Sequence, residues 1–530
     1  MSPPMNFRAI FPLLLSTSLL LPAGCASSAK DQMPNSGPTQ TQTTEQSGAK
    51  STPNTAASLE GVWRGKLEVS GASLTIIFNL KRAKDAPNGW QATMDSPDQG
   101  ATGIPVTEVL VDNNKVQLNV PVIRGAFEGT FADGGDAIDG AWGQAGQAFP
   151  LYLQRSSAEE AYRVERPQDP KPPFPYAIEE VEFAGGQPTA GTDQPVKLAG
   201  TLTLPKTEGP HPVLVLLTGS GPQDRDETIL NHKPFWVLAD FLSRNGVAVL
   251  RFDDRGVAKS TGVFDNATID DFVTDALAAV EYLGTRDDIN ADTIGLLGHS
   301  EGANVAPRAS LLTQKIDFLV LLAPTAVPGT ELLARQNALL FKGMGMSEDG
   351  ARAYETRMLE TLTKLVEEPL DKPVSKALRK TLRADFKAAA AAMSPQDRKV
   401  YGPTKSEDFD HVLDQMLEQL TASWMRSFLA MKPATTFTKL TIPTLAIYGS
   451  KDLQVAPAQN VGPLRDHLAK HPETTVTVLN GLNHLFQPAQ TGLPAEYATI
   501  KTTLDPELMD TVLDWLQERD IVSDAPADRQ

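Results

Sequence analysis

The chain has 530 residues, 41% of them apolar and 21% charged, with 65 acidic against 48 basic side chains and a net charge of −17. That length exceeds one ordinary domain and the apolar share is enough to build packed cores. The acidic balance excludes a nucleic-acid backbone or an anionic membrane surface as the main partner, and the single cysteine, Cys25, excludes a disulfide within the chain.

At the start, Arg8 precedes an apolar run over residues 9–21 that closes on Pro22-Ala23-Gly24-Cys25. The run is too short for a membrane-spanning helix and polar sequence follows it, so it predicts a cleaved signal over residues 1–25. Its ending resembles the bacterial lipoprotein signal, in which the cysteine is lipidated and becomes the mature N-terminus. Pro22 departs from that pattern, which usually has Leu three residues before the cysteine; Ala26 suits outer-membrane sorting. The resemblance implies export to the cell envelope and membrane attachment through a lipid on Cys25, the alternative being ordinary secretory cleavage to a periplasmic or secreted protein. Residues 26–57 are rich in Ser, Thr, Gln, Pro and Asn with almost no large apolar side chain. Such a segment cannot bury enough surface to offset its ordering entropy and reads as a flexible tether.

Over residues 58–155 the pattern becomes short alternating stretches, clearest at 67–70, 74–80, 115–120 and 149–153. Turn signals at Pro87-Asn88-Gly89, Asp112-Asn113-Asn114 and Asp133-Gly134-Gly135-Asp136 separate them. The expectation is a small all-β barrel or sandwich whose core is filled by Trp63, Trp90, Phe127, Phe131 and Trp142. Residues 156–176 carry Pro167, Pro170, Pro172, Pro173 and Pro175 among charges, the composition of a semi-rigid extended linker.

From residue 177 to about 523 strands and helices alternate. A leading antiparallel hairpin is expected from 178–183 and 196–204, then apolar strands at 212–217, 247–252, 293–297 and 318–322. Between them, Phe235, Leu238, Phe241 and Leu242 have helical spacing, stopped by Gly246. Ile269, Phe272, Val273, Ala276, Leu277 and Val280 mark an amphipathic helix capped by Thr268. Buried apolar strands alternating with such helices predict an α/β fold with a mostly parallel sheet covered on both faces. From about 325 to 437 the alternation stops, and helical stretches at 331–340, 348–367, 377–393 and 408–429 predict a cap inserted over one end of the sheet. Alternation resumes with a strand at 444–448, a helix at 461–470, a strand at 475–479 and a last helix at 506–517.

The chemistry centres on Gly298-His299-Ser300-Glu301-Gly302, a Gly-x-Ser-x-Gly that follows the 293–297 strand and opens a helix. On a sharp turn there, Ser300 would present its hydroxyl at the tip. The pentapeptide alone is weak, and its context decides. A serine hydroxyl needs a neighbouring base, usually histidine, oriented by a carboxylate. In α/β-hydrolases these follow in the order Ser, Asp/Glu, His on post-strand loops. Asp452, just past the 444–448 strand, and His484, just past the 475–479 strand, supply that order. Of the other histidines, His299 is expected to point away from Ser300. His211 precedes a strand, His232 and His411 lie near helical stretches, and His467 and His471 lie at a helix end. The Glu301 N–H and the Ser220 N–H, in the loop Thr218-Gly219-Ser220-Gly221, are the candidate oxyanion donors. No His/Cys set has metal-ligand spacing, and neither a metal nor a cofactor is expected.

The segments Leu217-Thr-Gly-Ser-Gly-Pro-Gln-Asp-Arg-Asp-Glu227, Phe252-Asp-Asp-Arg-Gly-Val-Ala-Lys-Ser-Thr-Gly262 and Gly298–Gly302 resemble secreted bacterial carboxylesterases of the α/β-hydrolase superfamily, in its serine aminopeptidase-like branch. The likeness runs from about Tyr176 to the C-terminus, and the β domain resembles an N-terminal extension of some of these esterases. Ala258 and Ala303 stand where relatives usually have glycine. The resemblance implies an α/β-hydrolase acting on a small ester through Ser300, Asp452 and His484, with peptidase, amidase or thioesterase action as alternatives. Asp253, Asp254 and Arg255 are expected to form a structural network under the site. For a peptidase, Glu331, Glu348 and Asp349 are the cap acids available to a substrate amine. A different class, a binding lipoprotein with an inactive hydrolase core, is the remaining alternative.

Overall fold

The computed structural model describes residues 59–522 except 70–71, 85, 87–88, 98–100, 133, 145–146, 163–165, 189–190, 371 and 402–406. The signal, Cys25 and the tether lie outside the described residues. The chain divides between residues 165 and 166 into two compact units.

The first unit is one antiparallel sheet of nine strands: β1 (Gly61–Val69), β2 (Ala72–Arg82), β3 (Trp90–Ser96), β4 (Ala101–Pro105), β5 (Glu108–Asp112), β6 (Lys115–Val120), β7 (Gly125–Phe131), β8 (Ala137–Gln144) and β9 (Gln147–Ser156). They lie in the order β4-β3-β2-β1-β9-β8-β7-β6-β5. The two ends of that order are consecutive in the chain. In their two-residue connection the Val106 N–H donates to Ala92 of β3 and the Thr107 N–H to Asn119 of β6. The sheet therefore curls until its edges are bridged, and a two-sheet sandwich is not what forms. Trp63, Trp90, Phe127 and Trp142 are buried inside it, with Phe131 packed against them. Buried indoles need acceptors: Trp63 Nε1 donates to Leu59 O at 2.8 Å and Trp142 Nε1 to Gln144 Oε1 at 3.2 Å.

The second unit begins with residues read above as linker. Rather than spanning freely, buried Arg166 donates to the Ile500 and Leu230 carbonyls at 2.7 Å each, and Gln168 bonds both Thr503 and Leu504. A guanidinium taken out of water needs such acceptors, and they fasten this stretch to the unit.

Its sheet comprises β10 (Tyr176–Ala184), β11 (Lys197–Pro205), β12 (His211–Leu217), β13 (Ala248–Phe252), β14 (Ile289–His299), β15 (Phe318–Leu322), β16 (Thr444–Gly449) and β17 (Thr474–Leu479). The order is β10-β11-β13-β12-β14-β15-β16-β17. It is a mixed sheet, not simply a mostly parallel one. β11 runs antiparallel to both neighbours, as the leading hairpin requires, and the remaining pairings are parallel. β13, β15 and β16 are buried along their whole length because helices cover both faces. Between β15 and β16 the chain inserts the helical region, with helices Gly329–Gly343, Glu348–Glu367, Lys376–Ala392, Pro395–Tyr401, Glu407–Thr421 and Ser423–Leu429. The long helix expected over 408–429 is two, because Ala422 adopts an extended ψ of 148° that ends one and starts the next.

Candidate active site

Parallel strands place their carboxyl ends on one side of a sheet, and loops there converge. Ser220 follows β12, the Asp253–Arg255 turn follows β13, Ser300 follows β14, Asp452 follows β16 and His484 follows β17.

Ser300 sits between β14 and the helix Gly302–Ser310 at φ 53°, a left-handed conformation that L-residues adopt only under constraint. The constraint is visible. The Ser300 N–H is held by Leu322 O of β15 at 2.8 Å. A Cβ on Gly298 would run into the Gly302 carbonyl, and one on Gly302 would run into the Leu217 carbonyl. Both motif glycines are therefore demanded by backbone approach rather than by turn flexibility. Ala303, where a glycine was expected from the resemblance, is fully buried and tolerated, whereas Ala258 takes a φ of 46° that glycine would adopt without strain.

His484 Nδ1 lies 2.8 Å from Asp452 Oδ2, and both side chains are buried. Asp452 Oδ1 accepts the Gln454 and Val455 N–H groups at 2.7 and 2.9 Å, which fixes the carboxylate. A carboxylate facing Nδ1 fixes the proton there and leaves the Nε2 lone pair as a base. The Gly219 N–H is already spent on Glu227 Oε1 at 2.7 Å. The Ser220 and Glu301 N–H groups, in contrast, are not engaged by another described residue, so both stay available to an oxyanion.

His299 does point away from Ser300, into a buried contact that its sequence neighbours do not announce. Its Nδ1 lies 2.8 Å from Glu227 Oε1 and its Nε2 2.9 Å from the His484 carbonyl oxygen. Its ring stands 4.9 Å from that of His484, which brings the elbow and the base loop side by side. Burial disfavours charge on His299, but the Glu227 carboxylate outweighs it and raises the imidazole above its ordinary range.

Glu301 is also buried, and burial pushes its carboxyl up to about 7 against the opposing bond from Trp424 Nε1, which donates to Oε2 at 2.7 Å. Trp424 belongs to the cap helix Ser423–Leu429, so the residue after the expected nucleophile is tied to the cap. A cavity behind the oxyanion loop is lined by Leu217, Gly219, Asp254, Glu301 and Gly302. Asp254 accepts from Thr218 Oγ1 and the Gln223 N–H, and burial holds its carboxyl well above the usual range.

The expected Asp253, Asp254 and Arg255 network takes a different shape. Arg255, fully buried, pairs with Asp275 at 2.7 Å and Asp271 at 3.0 Å, while Asp253 takes the Arg225 guanidinium at 2.8 Å. Asp253 and Arg255 thus find their charged partners outside the triplet, and Asp254 meets neutral donors. Glu331, Glu348 and Asp349 are exposed on the cap surface. His232 is buried between Thr503 Oγ1 and Tyr497 O. Among the described residues, no group of three or more His, Cys, Asp or Glu side chains is arranged to hold a metal ion.

Residues 234–404 match the serine aminopeptidase, S33, family. That span includes Ser300 and much of the cap but neither Asp452 nor His484. Esterase EstD of Thermotoga maritima is 29% identical over 320 residues, which are 60% of this chain and 65% of that protein. The chain thus spans just under two thirds of that relative's length. A segment of 119 residues, 22% of this chain, is 34% identical to 36% of an acyl transferase of Photorhabdus luminescens. Among solved structures, the esterase Pf2001 of Pyrococcus furiosus aligns over 65% of this chain and 93% of its own at 16% identity, with a TM-score of 0.36. The alpha/beta hydrolase GrgF of a Penicillium species aligns over 64% of this chain and 98% of its own at 16% identity, with a TM-score of 0.37. The chain is similar to esterases and to other hydrolases of the α/β class.

Proposed function

We propose that the chain is a serine hydrolase that cleaves carboxylic esters through an acyl-enzyme. The observation that carries the reading is Ser300, held at a left-handed φ at the tip of the β14 turn, on the same sheet edge as the His484–Asp452 pair. Ser300 Oγ attacks the ester carbonyl as His484 Nε2 takes its proton, and the carbonyl π electrons move to oxygen. The Ser220 and Glu301 N–H groups receive that oxyanion. Collapse expels the alkoxide, which takes the proton from His484. Water then repeats the sequence on the acyl-enzyme and releases the acid. Asp452 holds the imidazole in the productive tautomer and stabilises its cation.

A fluorophosphonate probe should label the protein once, and Ser300→Ala should abolish labelling and lower turnover by several orders of magnitude without altering the far-UV spectrum. Labelling that persists in Ser300→Ala refutes the mechanism, and an unlabelled wild type favours a binding protein with an inactive core. Likeness to serine aminopeptidases supports amide hydrolysis as a second reading. The exposure of Glu331, Glu348 and Asp349 gives a substrate amine no desolvated partner among them, which favours esters. Turnover on short-chain aryl esters, aminoacyl amides and acyl thioesters separates the three. The signal-like ending supports a further reading, attachment to the cell envelope through lipidated Cys25. A labelled fatty acid that failed to incorporate, or incorporated equally in Cys25→Ala, would remove it.

A further inference from the structure

The buried contact behind the elbow joins three loops that the proposed chemistry needs in register. Glu227 Oε1 accepts the Gly219 N–H at 2.7 Å and faces His299 Nδ1 at 2.8 Å, and His299 Nε2 faces the His484 carbonyl at 2.9 Å. A Cβ placed on Gly219 would lie 2.9 Å from Glu227 Oε1, 3.4 Å from His299 Nδ1 and 3.4 Å from Ser300 Cβ, so the four residues meet at one point. Glu227 and His299 are each almost wholly buried, and Glu227 itself sits at φ 52°. A non-glycine residue strained and desolvated at that point needs a compensating role.

Proton bookkeeping defines the pair. The His484 carbonyl can only accept, so His299 Nε2 carries a proton. Glu227 Oε1 accepts the Gly219 N–H and faces His299 Nδ1, so one proton lies between the ring and the carboxyl. On Nδ1 that proton makes both ring nitrogens donors and the contact an imidazolium–carboxylate pair. Its raised imidazole agrees with that assignment.

We infer that Glu227 and His299 are positioning residues for the hydrolase reaction, a single anchor that sets the oxyanion loop through the Gly219 N–H and the base loop through the His484 carbonyl. The inference rests on the serine hydrolase reading. Both act through backbone groups, the Gly219 N–H one residue from Ser220 and the carbonyl of His484 itself. An error of about 1 Å in such placement costs on the order of 100-fold in rate, and it falls on the chemical step rather than on substrate binding.

The test measures kcat, KM, fluorophosphonate acylation rate and Tm for the full chain with Glu227→Ala, His299→Ala and Glu227→Gln on a short-chain aryl ester. The alanine variants should lose about 10- to 100-fold in kcat and in acylation rate, with KM within about twofold. Glu227→Gln keeps the shape and an oxygen that can accept from both neighbours but removes the negative charge facing the His299 ring, so it should recover part of the loss and stand about 3- to 10-fold below wild type. Folded alanine variants with wild-type kcat overturn the inference, as does a rise in KM at unchanged kcat, which would assign the pair to the substrate pocket. Where an alanine variant fails to fold, Glu227→Gln decides, and wild-type kcat in it overturns the inference. An active, Ser300-labelled wild type with indifferent variants sinks the anchor alone, whereas a wild type that neither labels nor turns over ester sinks the hydrolase reading and the anchor with it.

Discussion

Glu301 offers a test in which stability reports the electrostatics of the elbow. Its carboxyl is buried, accepts the Trp424 indole N–H at 2.7 Å, and is pushed by burial from an ordinary 4.5 to about 7. Below pH 4.5 the proton is on in folded and unfolded chains alike. As pH rises from about 4.5 to about 7, the unfolded chain releases the proton first and the folded chain resists. Stability contributed by the protonated carboxyl is therefore lost across that window and is gone above it. A displacement of this size corresponds to about 3 kcal/mol. Glu301→Gln keeps an oxygen for Trp424 and the backbone N–H for an oxyanion, and it removes the ionisation. Urea unfolding of both proteins from pH 4 to 8 gives their difference as a function of pH, from which titrations not coupled to Glu301 cancel, Asp254 being the coupled neighbour. The variant should gain about 3 kcal/mol on the wild type between the acid and alkaline ends. A difference flat to within about 0.5 kcal/mol, or one that grows toward acid, would show that the carboxyl is not desolvated and refute the reasoning.

His232 has the opposite sign. Burial, with the nearby Arg166 charge, lowers its imidazole from 6.5 to about 4, so the unfolded chain protonates first as pH falls through that window and the stability of the folded state is lost toward acid. His232→Gln should flatten this acid limb by about 3 kcal/mol in the same urea series, and an unchanged limb counts against it. Gly302→Ala drives a methyl group into the Leu217 and Thr218 carbonyls, backbone atoms that cannot swing aside. It should lower the melting temperature by more than 10 °C or prevent folding, and an unchanged melt would show that the elbow is not packed this way. Ala258→Gly relieves a left-handed alanine at φ 46°. The relief of about 1–2 kcal/mol exceeds the roughly 0.4–1 kcal/mol of extra unfolded-state entropy, so the variant should match or slightly exceed the wild type in urea. A clear loss of stability would mean that the Ala258 methyl packs usefully.

The legible parts of the fold are those whose apolar residues recur with one period. Phe318–Leu322 and Pro506–Gln517 begin and end where the sequence pattern places them, since each is bounded by polar or turn residues. The first unit was only half legible. Gly125, Gly129, Gly140 and Gly143 break the alternation of β7 and β8, and neither strand is among the clear alternating stretches of the sequence. In the folded sheet a Cβ on Gly125 would enter the Trp142 ring, and Cβ atoms on Gly129 and Gly140 would crowd Phe127. Gly125 and Gly140 thus leave room for aromatic rings supplied by the neighbouring strand, and Gly129 for Phe127 of its own strand, whereas propensity counts them all as breaks. The cap break at Ala422 was hidden for a related reason: nothing in Thr421-Ala422-Ser423 forbids helix, and tertiary packing decides.

For the site, chain order was the strong signal. Ser300, Asp452 and His484 could be proposed because the α/β-hydrolase order puts such residues in loops after strands, and the structure places all three in loops of that kind. Glu227 and His299 could not, because their roles depend on what they face across the molecule. His299 was set aside as a base for pointing away from Ser300, and that same direction carries it to Glu227 and to the His484 carbonyl. The signal that was present lay in spelling: Glu227 ends the same Leu217–Glu227 segment that bears Ser220, ten residues after β12 closes. A buried acidic side chain at the end of that loop requires a partner, and Arg225, the one basic residue of the segment, is taken by Asp253 and Glu180, so the partner comes from elsewhere in the fold. Of the two elbow neighbours of Ser300, one side chain thus reaches the base loop and the other reaches the cap through Trp424. A substitution in the cap helix and one beneath the oxyanion loop should consequently meet at the same serine, from opposite sides.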